Sequence, residues 1–145
     1  MEGGWKTYRK MKKIQSINPY SGELIQEYNL FTQEEIDQSI DRSQIAFQAW
    51  KNESSTRKSN LLKRAGEELR RNKSYYADLI TLEMGKVISE SLAEIEKCAW
   101  VCDFYAEKGA EFLQPETILL ADGHRAKVIY QALGPILAVM PWNFP

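Results

Sequence analysis

The chain has 145 residues, of which 43% are hydrophobic and 27% are charged, and its formal net charge is -1. This composition is typical of a globular domain with a buried core and argues against a disordered tail. The nearly balanced charge gives no electrostatic reason to expect nucleic acid or an anionic membrane as a partner. No apolar run is long enough to span a bilayer and no signal-peptide pattern opens the chain, so a cytoplasmic protein is expected.

The N-terminal residues 1–13 are predicted to be a flexible basic segment. Five of the residues from Trp5 to Lys13 are lysine or arginine. A basic patch for an anionic partner is the alternative, but so short a stretch has no fold around it.

The cysteines and the histidine give no sign of a metal site. Cys98 and Cys102 are four residues apart in a predicted helix, so they share a face and are expected to be unbridged core thiols. His124, the only histidine, lies far along the chain beside a predicted turn, where a solvated surface position is expected. We therefore predict no bound metal.

The region 14–116 is predicted to form a short hairpin followed by four helices. Residues 17–23 indicate a strand end and a turn, because Pro19 restricts the backbone and Gly22 permits a positive φ. Thr32 and Glu35 form a capping-box pattern that begins a helix reaching about Trp50. A second helix is expected from Ser54 or Ser55.

Two further helices are predicted before residue 116. The third is capped by Ser74 and ends near Gly85, where glycine can adopt the left-handed conformation. The fourth covers residues 89–113 and is ended by Pro115. Its apolar stripe is wide, which indicates packing on more than one side. The stripe consists of Leu92, Ile95, Ala99, Cys102 and Ala106, widened by Trp100 and Phe104.

A change from helical to alternating periodicity marks residues 117–133 as a second hairpin. Asp122 and Gly123 form a two-residue turn signal between its arms, which cover residues 117–121 and 124–133. The unbroken apolar run 136–140 is typical of a parallel strand buried on both faces. Such a strand requires neighbouring strands and covering helices.

The last five residues carry the best candidate for chemistry. They follow a predicted buried strand, and open α/β sheets bind their ligands at the carboxyl ends of strands. The side-chain amide of Asn143 can donate a hydrogen bond to a developing oxyanion there. On spacing alone a simple turn is the alternative. These residues are Pro141, Trp142, Asn143, Phe144 and Pro145.

Several segments together resemble the aldehyde dehydrogenase superfamily, in the right order and at the right separations. The most specific is GPILAVMPWNFP at 134–145, and within the superfamily the chain looks most similar to NAD(P)-dependent succinate-semialdehyde dehydrogenases. The other matching segments are INPYSGE at 17–23, AFQAW at 46–50 and TLEMGK at 81–86, together with Arg57, Glu90, Ser91, Glu94 and Ile95.

The resemblance implies an α/β parent fold, of which this chain is a mostly α-helical fragment. Residues 14–116, which include an N-terminal hairpin, would be the N-terminal helical part of the cofactor-binding domain. Residues 117–133 would be an oligomerisation arm that builds a homo-oligomer, and residues 134–145 would hold the first strand of the nucleotide-binding sheet and the start of the active site. The implied activity is oxidation of a small aldehyde by a cysteine thiolate, with hydride transfer to NAD or NADP and hydrolysis of the thioester.

The resemblance also implies which residues form the site. Asn143 would help to form the oxyanion hole. The residues expected beside the NAD or NADP cofactor are Val139, Met140, Pro141, Trp142 and Asn143.

The resemblance covers about the first third of such an enzyme. The cofactor-site lysine and glycine motif, the general-base glutamate and the nucleophilic cysteine are not matched, because Cys98 and Cys102 lie in the helical region. The chain alone is therefore expected to be inactive. One hypothesis is an incomplete copy of an enzyme, and the other is a non-catalytic oligomerisation or interaction module. The unpartnered strand at 136–140 favours the first.

Overall fold

The computed structural model describes residues 13–143, and this part of the chain consists of four helices between two β-hairpins. The predicted flexible basic terminus at residues 1–13 lies outside the described residues except for Lys13, and so do Phe144 and Pro145. In chain order the elements are β1 (Lys13–Ile17), β2 (Leu24–Asn29), α1 (Gln33–Trp50), α2 (Ser55–Arg71), α3 (Lys73–Met84), α4 (Ile88–Phe112), β3 (Glu116–Leu119) and β4 (Arg125–Val128).

The first hairpin pairs β1 with β2 in antiparallel register, with an irregularity between Ser16 and Ile17. Its turn is closed by Asn18, whose side-chain oxygen accepts a hydrogen bond from the Tyr20 amide at 2.9 Å. Gly22 takes the positive φ of 75° that the turn requires,. The hairpin predicted around residues 17–23 is therefore confirmed.

Helix α1 begins at the predicted capping box. The Glu35 amide donates to the Thr32 hydroxyl at 3.2 Å, and the Thr32 amide donates to the Glu35 carboxylate at 2.8 Å. These reciprocal bonds satisfy two backbone donors that the first turn would leave unpaired. The Thr32 amide and, to a smaller extent, the Thr32 hydroxyl donate hydrogen bonds to the Glu35 carboxylate, and these two bonds lower the pKa of the Glu35 carboxyl.

Replacing Thr32 with alanine is expected to lower the free energy of unfolding by about 1 kcal/mol at neutral pH. Because the pKa of Glu35 is lower in the folded chain, its contribution is present above the ordinary glutamate pKa,. That contribution is lost as the pH falls through the lowered value. Urea unfolding of both proteins at neutral and acidic pH checks this. Alanine removes the hydroxyl's bond to the Glu35 carboxylate and keeps the larger backbone bond, so the cost should be slightly smaller in acid, and a cost that grows in acid would contradict the prediction.

The core lies where α2 and α3 pack against α4. Buried side chains come from α3 and α4, and the buried Gly66 brings α2 close to α4. The predicted α4 stripe is confirmed in part, because Cys102 is only half-buried and Trp100 and Phe104 are 59% and 38% exposed. Besides Gly66, the buried residues in the described range are Ala77, Ile80, Ser91, Ile95, Ala99 and Ala106.

One predicted helix boundary was wrong. Helix α3 starts at Lys73 with Asn72 at the N-cap position, so Ser74 lies inside the helix and does not cap it. The reason is that α2 runs into α3 almost without a loop. Helix α4 covers Ile88–Phe112 with Leu113 at the C-cap, two residues before Pro115, so the helix predicted over 89–113 is confirmed,. Gly85 ends α3 with a φ of 77°, as predicted.

The second hairpin exists, but it is shorter than predicted and its turn differs. The Gly123 amide donates to the Leu120 carbonyl at 3.0 Å, and the Leu120 amide donates to the His124 carbonyl at 2.8 Å. Gly123 has a φ of 85°, so the loop has three residues, with glycine in the left-handed position, instead of the predicted two,. Strand β4 ends at Val128, and residues 129–133 form no strand.

The predicted strand at 136–140 is not formed among the described residues. Ile136, Leu137, Val139 and Met140 are 88%, 90%, 84% and 71% exposed. A parallel strand needs a neighbouring strand for its hydrogen bonds, and each of the two sheets in the described range is a single antiparallel hairpin that does not pair with this segment,. The segment therefore lies outside any sheet, so the first strand of a nucleotide-binding sheet is not formed among the described residues.

Candidate functional site

The candidate segment 139–143 lies on the surface. Trp142 and Asn143 form a turn after Pro141, and all three residues are exposed. The segment 134–143 belongs to neither sheet, so its peptide groups are outside any strand ladder. It contains no carboxylate that would repel a phosphate. All five residues that the resemblance assigns to the cofactor, Val139, Met140, Pro141, Trp142 and Asn143, are exposed.

A mostly apolar cavity of about 790 Å³ lies between the first hairpin and the helices, with Trp142 on its wall. Within residues 134–143, Trp142 is the one lining residue. The cavity is lined by Ile14, Gln15, Ser16, Ile17, Tyr28, Leu69, Tyr76, Leu79, Ile80, Glu83, Met84, Ile95 and Trp142. This cavity could not be predicted from the sequence, because its walls come from the first hairpin, three different helices and Trp142 near the end of the chain.

The motif TLEMGK at residues 81–86 joins three elements. The Thr81 and Ser91 hydroxyl oxygens lie 3.0 Å apart, and Ser91 is completely buried. Lys86 forms an ion pair with Glu94, in which both side chains are only 14% exposed. A largely enclosed ion pair of this kind holds Lys86 in place against α4 more than it adds to the free energy of unfolding. Lys86 is thus enclosed against α4.

A second ionic group ties α2 to α4. The Arg70 guanidinium contacts Glu96 at 2.9 Å and Asp103 at 2.7 Å, and Lys73 reaches Glu96 at 3.0 Å. Hydrogen bonds from Arg70 and then from Lys73 lower the pKa of the Glu96 carboxyl. No local pattern could identify these pairs, because they connect residues more than twenty positions apart.

The cysteines and the histidine lie apart from the candidate segment. Cys98 and Cys102 are free thiols on α4, as predicted, but Cys98 is exposed and is not a core residue. The His124 side chain is exposed and pairs with Asp122 at 2.9 Å, as expected for a surface position. Across residues 13–143 no group of acidic, histidine or cysteine side chains could hold a metal ion. No helix in this range is both long and apolar enough to cross a membrane.

Comparison with known proteins identifies the architecture. A "probable succinate-semialdehyde dehydrogenase [NADP(+)]" from Synechocystis sp. is 40% identical over 91% of this chain and 29% of its own length. A succinate semialdehyde dehydrogenase [NAD(P)+] from Escherichia coli is 36% identical over 90% of this chain and 28% of its own length.

Solved structures agree with the sequence relatives. The succinic semialdehyde dehydrogenase from Streptococcus pyogenes, in complex with NADP+, matches with a TM-score of 0.84 and 32% identity. That match covers 90% of this chain and 29% of the other. The chain therefore spans less than a third of the length of these relatives, and the helical layer between two hairpins corresponds to one part of their fold.

The model of the aldehyde dehydrogenase family matches residues 5–145, which is nearly the whole chain. With the sequence relatives and the structural likeness in agreement, the chain belongs to the aldehyde dehydrogenase family.

Proposed function

We propose that this chain supplies the helical layer and the Trp142–Asn143 turn of an NAD(P)-dependent dehydrogenase that oxidises an aldehyde to its carboxylate. The observation that carries the proposal is the exposed Asn143 amide at the end of the family-matched segment 134–145. Succinate semialdehyde is the proposed substrate, because the relatives from Synechocystis sp. and Escherichia coli are named for it. A cytoplasmic location remains a prediction.

Asn143 has the chemistry needed for an oxyanion hole. Attack on an aldehyde carbonyl places negative charge on its oxygen, and a side-chain amide N–H can donate a hydrogen bond to that charge. Such a bond accelerates the reaction when it is stronger in the transition state than in the bound substrate. Pro141 restricts the backbone immediately before the turn, which limits how far Asn143 can move.

The same segment fits the proposed cofactor. Val139, Met140, Pro141 and Trp142 present exposed apolar side chains and backbone groups outside any strand ladder. They would pack against the nucleotide on one side while Asn143 faces the substrate carbonyl. The cofactor, NAD or NADP, accepts the hydride when it is bound. The relatives named for NADP+ support this choice of cofactor class.

The second hairpin is proposed as an oligomerisation arm. Its strands β3 and β4 have free edges, and Leu119, Ile129 and Leu133 are exposed on or beside them. An exposed strand edge with apolar side chains is suited to pairing with a strand of another subunit. Residues 117–133 would then bind a second copy of the enzyme. Changing both Leu119 and Ile129 to lysine should lower the molar mass of the 145-residue chain in light scattering, because subunits that pair through this hairpin would separate. An unchanged mass would rule out this role.

A chimeric enzyme tests the catalytic proposal. The part of the Synechocystis relative that corresponds to this chain is replaced by this chain, Asn143 included, and reduction of NADP+ is followed with succinate semialdehyde. We expect turnover comparable to that of the unmodified relative, because the segment would supply an equivalent layer and oxyanion donor. The unmodified relative is the matched control. A chimera that does not reduce NADP+ while the relative does would refute the proposal.

A non-catalytic interaction module is the second candidate, and the exposed strand edges of the β3–β4 hairpin are the observation that favours it. It would bind intact dehydrogenase subunits through residues 117–133 without contributing to catalysis. An active chimera argues against this candidate, because a segment that serves only in binding need not keep a functional Asn143. The kinetic effect of replacing Asn143 in the chimera separates the catalytic role from the interaction module more sharply.

A further inference from the structure

Helix α4 carries apolar side chains on two sides, and the described residues pack against only one of them. Ile95, Ala99 and Ala106 are buried on the inner side, where α2 and α3 lie against α4. The opposite side forms the outer face of α4, which is exposed and consists of Trp100, Val101, Phe104 and Phe112. A helix that is apolar over so wide an arc is normally covered on more than one side. The described residues therefore leave the outer face without the cover that its composition indicates.

The rings of the outer face form one aromatic cluster. The centroid of the Phe104 ring lies 6.0 Å from that of Trp100 and 6.0 Å from that of Phe112. Lys108, the cation between Phe104 and Phe112 in the sequence, pairs with Glu111 at 3.5 Å, so its charge is compensated within the helix. Aromatic side chains are enriched at protein–protein interfaces. The outer face is therefore suited to contact with another polypeptide.

The solved relatives indicate which polypeptide would cover this face. The match to the Streptococcus pyogenes dehydrogenase has a TM-score of 0.84 and accounts for 29% of that chain. The rest of that chain has to contact the shared layer, because both belong to one folded enzyme. On α4 the inner side is occupied by α2 and α3, which leaves the outer face for this contact. The exposed apolar run at 136–140 also lacks a strand partner in the described range, so the same polypeptide would cover two surfaces.

We propose that this chain binds the rest of an aldehyde dehydrogenase through the outer face of α4, and that it does so even when the rest is a separate polypeptide. The inference rests on the proposed function, because it treats the chain as one layer of that larger enzyme. Trp100 and Phe112 supply the contact, and Phe104 lies between their rings. Burial of these rings removes apolar surface from water, which provides the main favourable free energy of association.

Co-expression tests this binding. The 145-residue chain is produced together with an affinity-tagged polypeptide that comprises the part of the Synechocystis relative outside the matched region. We expect the untagged chain to be recovered with the tagged polypeptide in equimolar amount. Trp100→Lys and Phe112→Lys should each reduce this recovery about tenfold or more, because an aromatic residue at the centre of an interface carries much of the binding energy.

Further measurements separate loss of binding from loss of folding. Trp100 is 59% exposed and Phe112 is 54% exposed, so neither substitution should alter the circular dichroism or the urea midpoint of the free chain. Tyr75→Lys is the matched control, because it exchanges an exposed ring for a cation on α3, which lies on the inner side of α4. Its recovery should equal that of the parent chain.

Recovery of Trp100→Lys equal to that of the parent would overturn the inference, and so would an equal loss in Tyr75→Lys or no recovery of the parent chain. A lower molar mass of the free chain on Trp100→Lys in light scattering would also overturn it, because the outer face would then join copies of this chain. Recovery without reduction of NADP+ would refute the proposed function and leave the binding surface standing. An active chimera without recovery of the separate chains would refute only the binding surface.

Discussion

Replacing Asn143 with alanine in the chimeric dehydrogenase is expected to lower kcat about 10²- to 10³-fold, the usual cost of removing one oxyanion donor. The Michaelis constant should change little, because the missing hydrogen bond is strongest when charge has developed on the carbonyl oxygen. Steady-state kinetics with succinate semialdehyde and saturating NADP+ separate the two parameters. Asn143→Asp should be at least as damaging, since a carboxylate cannot donate and would repel the oxyanion.

An exposed asparagine elsewhere provides the control for this substitution. Asn52 follows α1, and its side-chain amide donates to the Gln48 carbonyl at 3.1 Å. Asn52→Ala makes the same chemical change away from the segment 134–143 and should leave kcat unchanged. A rise in the Michaelis constant at constant kcat in Asn143→Ala would assign the residue to substrate binding instead. Unchanged kinetics would remove it from the site.

Replacing Gly66 with leucine is expected to lower the free energy of unfolding by about 3 kcal/mol, at the upper end of overpacking costs. A Cβ atom at Gly66 would lie 3.1 Å from the Ala99 carbonyl oxygen and 3.3 Å from Cβ of Cys102. It would also lie 3.1 Å from the Asp103 carboxylate, which pairs with Arg70. A larger side chain must therefore separate α2 from α4 and disturb an ion pair. Urea unfolding followed by circular dichroism measures the loss.

Gly109 is the matched control, because it also lies within a helix but has nothing within 4 Å of an added Cβ. Gly109→Ala should be stabilising by up to about 1 kcal/mol, since alanine is the better helix former. Gly66→Ala should lie between the two, because the same gain in helix propensity is offset by the tight contacts. If Gly66→Leu unfolded at the same urea concentration as the parent, the close approach of α2 and α4 would be wrong.

Features that depend on interactions between neighbouring residues could be predicted from the sequence. The capping box at Thr32 and Glu35, the start of α2 after Ser54 and the left-handed Gly85 each depend on interactions within a few positions. The same is true of the turn at Gly22. Local hydrogen bonding and backbone sterics determine these structures, so the correct residues could be named in advance.

Features made by distant residues could not be predicted in this way. The Ser16–Glu83 bond joins two segments that show no pattern in common. Helix α3 starts after Asn72 and not after the predicted Ser74, because the packing of α2 and α3 on α4 determines where one helix ends and the next begins. The preference of serine for the N-cap position is too weak to override that packing.

The candidate site shows the same division. Asn143 could be named from its motif, whereas the cavity beside Trp142 emerged only once the hairpin and three helices were in place. The apolar run at 136–140 predicted a strand, but strand formation depends on partners that the described residues do not provide,. A sequence pattern can indicate what a segment is suited to form, and the surrounding chain determines whether it does so.

The most direct test of these proposals is the activity of the 145-residue chain by itself. The chain is proposed to supply an oxyanion donor and a surface for the cofactor, while its two thiols lie on α4, at Cys98 and Cys102. With succinate semialdehyde and either NAD+ or NADP+, the purified chain is predicted to form no reduced cofactor above a sample without protein. Sustained formation of NADH or NADPH that depends on both the aldehyde and the chain would contradict the predicted inactivity of the chain alone.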